Sequence, residues 1–534
     1  MILDLEQATG HEFDNADVCI IGAGAAGITL AVELLRLGRR VLVLEGGGKD
    51  VEERSQDPYK SELVGLRHNG IHTGRFRAYG GTTTKWGGQI LELDAIDFTC
   101  RDWIQGSGWP FPKSELTQHY RRALELEGIA SSTLDDRAVW HEIGLERPVL
   151  GEKLAPYFSR WCPEPNFTRL HRDVLERHKN LGIYLHANAC RLLTGVNERT
   201  ISGVTCRTLE GKEVIFRAKE FVLCLGAIES SRFLLQPDAN GKQRWNEYGL
   251  VGKYYQDHID CNCAEVKKLN EAKFHAYFDN VYSRGYKYHP KFKLIPELQQ
   301  RHRVLNVAGT MVFRSDMDET LNQVKQTAKN LLRGRKDAIT GKDISNLIGN
   351  MPAFLRQGYH YKVKHRAYNP ASSQIFLRVH CEQEPLSSST VSLSEERDAL
   401  GLLRARLDWK VSDLEIQTIQ RFIETVRDVL ETYQLCELKI DPNLYSDDGS
   451  FLKKVDDSNH HMGGTRMGTS GSNGVVDTNL KLHAAENGYV CSSSVFPASG
   501  FSNPTHTLLA LAVRLGEHLH TKVLTAAIQM GEKT

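Results

Sequence analysis

The 534-residue sequence predicts an α/β fold in which a doubly covered parallel sheet opens the chain and a second, mixed sheet comes later. Three observations carry that expectation. The apolar run Val18-Cys-Ile-Ile21 leads directly into Gly22-Ala-Gly24-Ala-Ala-Gly27, the next residues place Ala25, Ile28, Val32 and Leu35 on one helical face, and from Val379 onward short alternating segments recur.

The first of these elements is specific. Gly38 ends the helix, and Arg40-Val-Leu-Val-Leu-Glu45 supplies a second strand, so strand, glycine turn, helix and strand follow one another in Rossmann-like order. Gly22 allows the tight turn, Gly24 lets the backbone reach a pyrophosphate, and Gly27 lets helix and strand pack closely. The helix amino terminus then faces the phosphates. Glu45 ends the second strand, where it can accept from a ribose 2′-hydroxyl, which favours FAD or NAD over a 2′-phosphorylated cofactor. No second GxGxxG occurs, so two dinucleotide modules are not expected. Further strands near Ile183 to Leu225 and a return from Val475 to the end make this domain discontinuous.

Composition excludes other classes. With 67 Lys and Arg against 66 Asp and Glu, the net charge of +1 gives no excess to drive binding to nucleic acid. At 40% apolar and 25% charged residues, the chain is that of a globular protein with a large core. The uncharged stretch Val18 to Val32 is broken by three glycines and falls short of the ~20 apolar residues of a membrane span. Met1 to Asp17 has no Lys or Arg, unlike a signal peptide, and cytoplasmic residence is the expectation. Eleven cysteines without a CxxC read as reduced thiols, and no metal site is expected. HExxH, Walker, GxSxG and CxxCH motifs are absent, which removes zincin, P-loop, α/β-hydrolase and attached-haem readings.

Several further motifs appear in a fixed order. Leu44-Glu45-Gly-Gly-Gly48 is followed by Tyr79-Gly-Gly-Thr-Thr-Thr-Lys-Trp-Gly-Gly88 and Gly108-Trp-Pro-Phe-Pro112. Then come Cys224-Leu-Gly-Ala-Ile-Glu-Ser-Ser-Arg-Phe-Leu-Leu235, Val251-Gly-Lys-Tyr-Tyr-Gln-Asp-His258, His460-His-Met-Gly-Gly-Thr-Arg-Met-Gly468 and Ser502-Asn-Pro-Thr-His506. In this order they resemble the glucose-methanol-choline (GMC) flavin oxidoreductases, from Asp17 nearly to the carboxyl end. The resemblance implies a Rossmann-like FAD-binding domain with a mixed-sheet α+β substrate domain. It implies FAD contacts at Gly22, Gly24, Gly27, Glu45, Gly80, Gly81, Thr82, Trp86, Gly226, Ala227, Ser494, Asn503, Pro504 and Thr505. Relatives that attach FAD through histidine carry it in the glycine-rich loop, where this chain has Lys85, so the FAD is expected to be non-covalent.

Oxidising an alcohol needs a base, a hydride acceptor and donors for the developing alkoxide. Counted back from Gly464-Thr465, His461 matches the family's base, Asn503 its hydrogen-bonding partner, and His460 becomes a supporting neighbour. His506 and the pair Asp257-His258 read as structural. Two departures stand out: Ser492-Ser-Ser494 replaces the usual Asp-Ala-Ser, and the Gly464-to-Gly468 motif is one residue short.

The division implied is 1–110 and 181–260 for FAD, 111–180 for a helical cap, 261–459 for substrate, and 460–534 for the catalytic motif and the last FAD segment. Val379 to Pro385, Thr390 to Ser394 and Leu407 to Trp409 resemble the sheet roofing the flavin in sugar- and polyol-oxidising members. Alternation sends Glu382 and Gln383 to opposite faces, and the neutral amide of Gln383 is the expected substrate contact, together with His461 and Asn503. Leu321 to Pro370 is basic, with an apolar stripe of Leu321, Val324, Ala328, Leu331 and Leu332. The expected activity is oxidation of a sugar, glycoside or polyol CH–OH, electrons leaving to oxygen or a separate acceptor, in a chain that could oligomerise. The alternatives are a non-sugar alcohol (aliphatic, aromatic or sterol), a hydroxynitrile-lyase-like reaction, and flavin binding without catalysis.

Overall fold

Two large sheets divide the molecule, and each draws its strands from distant parts of the chain. The computed structural model describes residues 1–7, 12–129, 135–195, 197–314, 351–370 and 373–531. In the first sheet the parallel order is Ile2–Asp4, Leu181–Leu185, Val41–Leu44, Glu12–Ile21, Glu213–Leu223. The long strand Glu213–Leu223 pairs antiparallel with Ile201–Arg207 at one end and parallel with Gly488–Val490 at the other. Chain entering from three separate regions therefore ends side by side, with the carboxyl ends of the strands opening on one crevice.

The first helix, Ala25–Arg36, is buried from Ala26 to Leu35 because it lies between this sheet and the long carboxyl-terminal helix Pro504–Gly531. A helix covered on two sides must be apolar nearly all round, as its sequence is. Fully burying Ile28, Leu30 or Leu34 stabilises by about 1.5–3 kcal/mol each. The second crevice helix, Ala227–Leu235, is buried along its whole length and begins after Gly226, whose φ of +78° favours glycine.

The second sheet runs Cys436–Ile440, Ile259–Lys268, Gln374–Cys381, Val307–Arg314, Tyr286–Leu294, Leu154–Trp161, Gln89–Ile90. One face carries helix Asp413–Thr432, which starts at a Ser412/Glu415 capping box and buries Ile419, Phe422, Ile423, Val426 and Leu430. Gly309 makes room for the Phe422 ring, since a Cβ there would sit 2.9 Å from Phe422 Cε1. Along Tyr286–Leu294 the burial alternates: Tyr288, Pro290, Phe292 and Leu294 face inward, leaving Lys287, His289 and Lys291 on the other face.

Three expectations are corrected by this topology. Thr390–Arg397 and Leu403–Asp408 form a separate three-stranded sheet with Glu62–Leu63 rather than joining Gln374–Cys381. Segment 111–180 supplies helices Thr117–Leu126 and Asp136–Glu142, but also strand Leu154–Trp161 of the second sheet. Strand Gln374–Cys381 stops before Glu382 and Gln383, so alternation does not govern them. The stripe from Leu321 to Leu332 lies outside the described residues; helix Met351–Lys362 of the same basic segment is described. All eleven cysteines are free thiols, ten of them buried. Among the described residues no helix is long and apolar enough to cross a membrane.

Glu382 instead locks the end of the second sheet's strand Gln374–Cys381 to the segment around Arg101. Both its oxygens accept from the Arg101 guanidinium, at 2.7 and 2.6 Å, and one also accepts from the Asn306 backbone N–H at 2.8 Å. Both side chains are fully buried. Removing one partner of such a pair strands the other charge, so Arg101→Met should cost about 3–5 kcal/mol in denaturant unfolding. A loss below about 1 kcal/mol would show that the pair does not hold the two parts together.

Candidate active site

The crevice at the carboxyl ends of the first sheet is a cavity of about 1530 Å³, counting its open mouth. Its lining runs from the glycine turn past Glu45 to the start of the helix at Ala227 and on to His460 and His461, an elongated course that suits an extended dinucleotide. Its floor is the glycine turn. Gly22 has φ +108°, and any side chain there would strike the Cys224 carbonyl; a side chain on Gly27 would strike the carbonyl of Gly22. A Cβ on Gly24 would meet nothing within 4 Å, so the bare backbone is left open to an incoming phosphate. Gly81 packs against Gly24, bringing Thr82, Thr83 and Trp86 into the lining.

Glu45 closes one side. Its carboxylate accepts from the backbone N–H of Ala23 and of Gly47, each at 2.9 Å, and so ties the glycine turn to the end of the second strand. Burial pushes its pKa up, while those two N–H groups and Arg77 oppose the rise. Gly226, Ala227, Pro504 and Thr505 complete the lining as expected. Ser494 does not reach the cavity: its Oγ accepts from Thr465 Oγ1 at 2.5 Å, it is fully buried, and Ser492 and Ser493 line the wall in its place. Gly27 and Gly80 act behind the wall, Gly80 through its N–H to the Ala23 carbonyl at 3.0 Å.

A second cavity, about 1020 Å³ with its open mouth, lies on the polar face of the second sheet. His460 and Asn459 line both cavities, and Asn503 lines the second. The expected pairing of His461 with Asn503 is not formed. Asn503 Nδ2 donates to His460 Nε2 at 2.9 Å, whereas His461 Nε2 is buried without a hydrogen-bond partner, 3.9 Å from Asp257 Oδ2. His461 still lines the first cavity, its ring centroid 5.3 Å from that of His68.

The loop bearing both histidines hangs on Asp257. Oδ1 accepts the backbone N–H of His258 (2.7 Å), Ser458 (3.2 Å) and His460 (3.0 Å), and Oδ2 meets His68 Nε2 at 3.1 Å. Asp257 is wholly buried, which pushes its pKa up against the His68 hydrogen bond.

Three histidines converge beside it. His258 Nδ1 lies 2.9 Å from both His460 Nδ1 and His380 Nε2. Asn503 Nδ2 can only donate, so His460 Nε2 accepts from it, and the proton of a neutral His460 ring lies on Nδ1; His258 Nε2 is buried without a hydrogen-bond partner. His460 Nδ1 then donates to His258 Nδ1, and the Nε2 lone pair of His460 is held by the Asn503 amide. Burial, followed by the neighbouring His380, holds the His460 pKa well below the usual histidine value.

Gln383 does not contact the second cavity. Its Oε1 accepts from the Asp257 N–H and from Trp409 Nε1, both at 2.8 Å, and its Nε2 donates to the Lys410 carbonyl at 2.7 Å. Every polar atom of the amide is spent inside the protein, so the expected substrate contact is corrected to a structural one. His506 is structural too, bonded to Glu127 at 2.7 Å and stacked on Tyr120. Sequence reasoning missed His380 and Asp260 and gave His258 a structural role only. The signal available was the same-face spacing of polar residues in the second sheet.

Two family models, both described as GMC oxidoreductase, match residues 168–260 and 385–512. The chain is 22% identical to a 2-methyl-1,2-propanediol dehydrogenase of Mycolicibacterium austroafricanum, over 95% of each chain. Among solved structures it resembles a formate oxidase (17% identity, 96% and 99% of the two chains, TM-score 0.56) and the pyridoxine 4-oxidase from Mesorbium loti (18%, 95% and 99%, 0.55). A fungal aryl-alcohol oxidase matches at 14% identity over 96% and 100%, with a TM-score of 0.56.

The Glu45 geometry generates a test. Glu45→Ala removes the acceptor for two backbone N–H groups at the cavity floor, and should weaken dinucleotide retention at least about tenfold, since hydrogen bonds to a charged group contribute ~1.5–3 kcal/mol each. Flavin-to-protein ratios after dialysis measure this. A variant that keeps its full complement would show that the carboxylate does not shape the site.

Proposed function

The chain belongs to the GMC oxidoreductase family, whose members bind FAD, and from that premise we propose that it oxidises the CH–OH group of an alcohol to a carbonyl, with His460 as the base. FAD, when bound in the first cavity, supplies the hydride acceptor. Its holders would be the glycine turn, Glu45, the Gly81–Thr83 turn and the start of the helix at Ala227. Lys85 is exposed and stands where attaching relatives have histidine, so the cofactor is held without a covalent bond.

The observation that carries the assignment is the Asn503–His460 contact at the junction of the two cavities. His460 is neutral near pH 7 because burial disfavours its charged form, and its unprotonated Nε2, released from Asn503 as the substrate enters, takes the hydroxyl proton. Asn503 Nδ2, which rests on that nitrogen, is placed to donate to the alkoxide oxygen as charge develops. His258 Nδ1 accepts the Nδ1 proton of His460, which keeps Nε2 unprotonated, and Asp257 fixes the backbone from which His460 projects. His461 supports the wall of the first cavity instead.

The substrate is a polyol or carbohydrate, a reading supported by the polar sheet face and by a relative named for a diol. It no longer leans on Gln383. Replacing His460 by Ala should slow anaerobic flavin reduction by ~10²-fold or more with FAD retained, while His461→Ala should cost less than about tenfold. The reverse order would return the base to His461. An alcohol panel in which nothing bleaches the flavin would remove the oxidation reading altogether.

A further inference from the structure

We propose that the alcohol carries an anionic group, a carboxylate or a phosphate, bound by Lys291 on the sheet face of the second cavity; this rests on the alcohol-oxidising reading above. Strand alternation presents Lys287, His289 and Lys291 together on that face, because Tyr288, Pro290 and Phe292 are drawn into the core behind it. Three cationic side chains line the cavity: Lys287, Lys291 and Arg378.

The two acids in the same wall are already committed. Asp260 holds the Arg378 guanidinium through both oxygens. Asp457 accepts the backbone N–H groups of Asn69 (2.6 Å), Gly70 (2.9 Å) and Asn459 (3.2 Å). Neutral groups near Lys291 are paired as well: His289 sits between Asn280 Oδ1 (2.5 Å) and Thr310 Oγ1 (2.6 Å), and Gln89 donates to Ser159 Oγ. Lys287 lies over the Trp161 ring, 4.2 Å from its centroid.

Lys291 is left with no salt bridge among the described residues. Burial pushes its pKa down to about 8, with Asp260 opposing the shift and Arg378 adding to it. A half-buried ammonium without a counter-ion is costly to keep, and an anionic ligand offsets that cost. The same charge also bears on the base: Lys291 is among the groups that disfavour protonation of His460. An anion bound at Lys291 cancels that opposition at the moment His460 accepts the hydroxyl proton. Trp161 and the stacked Lys287 stand beside the anion site as an apolar platform for a carbon chain or ring.

The test uses the purified holoenzyme and matched sets of alcohols: glycerol, glycerate and glycerol 3-phosphate; glucitol, gluconate and glucitol 6-phosphate. Anaerobic flavin reduction should be at least tenfold more efficient for an anionic member than for its neutral partner, and the carboxylate and phosphate arms tell the two sources apart. In Lys291→Gln that ratio should collapse toward one, and in Lys291→Arg it should persist. Neutral members that match or exceed the anionic ones, or a ratio unmoved by Lys291→Gln, would overturn the proposal while leaving alcohol oxidation in place. A second arm titrates inorganic phosphate and acetate against the oxidised flavin spectrum. Perturbation at least tenfold weaker in Lys291→Gln supports the anion site even if no alcohol in the panel is oxidised, and its absence in the wild type counts against it.

Discussion

The buried carboxylate of Asp257 is the constraint on which the site depends. It gathers the N–H groups of His258, Ser458 and His460, and with its other oxygen it meets His68. A carboxylate this deep is tolerated only when donors surround it, and the donors it collects are the backbone of the two segments that carry the site histidines. His258 follows Asp257 directly, and His460 comes from a loop some two hundred residues away. Their rings meet because one anion holds both main chains. Gln383 adds to this by accepting the N–H of Asp257 itself, which fixes the residue from behind.

From that anchor the division of labour between the two cavities follows. The first cavity is backbone-lined at its floor, where glycines keep side chains away and Glu45 ties the turn to its strand. The second is lined by side chains standing on one face of a sheet, whose other face is filled by helix Asp413–Thr432. A cofactor common to a family suits the first construction, because the backbone geometry does not depend on which apolar residues pack around it. A substrate suits the second, because each alternate strand position can be exchanged without disturbing the core. In this chain that face carries the row Lys287, His289 and Lys291.

Much of the first cavity was legible in the sequence, for a local physical reason. Gly22, Gly24 and Gly27 are dictated by φ and by close approach within one strand-turn-helix unit, so their spacing alone locates the floor. Asn503 was legible as the residue before Pro504. The choice between His460 and His461 was not. Both rings line the first cavity, and what separates them is the contact of His460 with Asn503, a partner more than forty residues away in the chain. The motif ahead of Gly468 is one residue short, so counting from Gly464-Thr465 selects His461, whereas the contact with Asn503 selects His460. Gln383 failed for a different reason: the strand ends at Cys381, and the amide is captured by Asp257, Trp409 and Lys410, partners far apart in sequence. Ser494 lost its place to Ser492 and Ser493 in a tight 3-10 turn, where alternation again gives no guide.

The measurement that bears most directly on this account is the pH dependence of anaerobic flavin reduction, recorded in the wild type and in His461→Ala. A neutral, buried His460 that acts as base is active in its unprotonated form, and its lowered pKa extends that form to more acidic solution. The account predicts one acid limb, centred below pH 6.5, that survives the His461 substitution. A limb that disappears with His461, or that lies above pH 6.5 in the wild type, would contradict it.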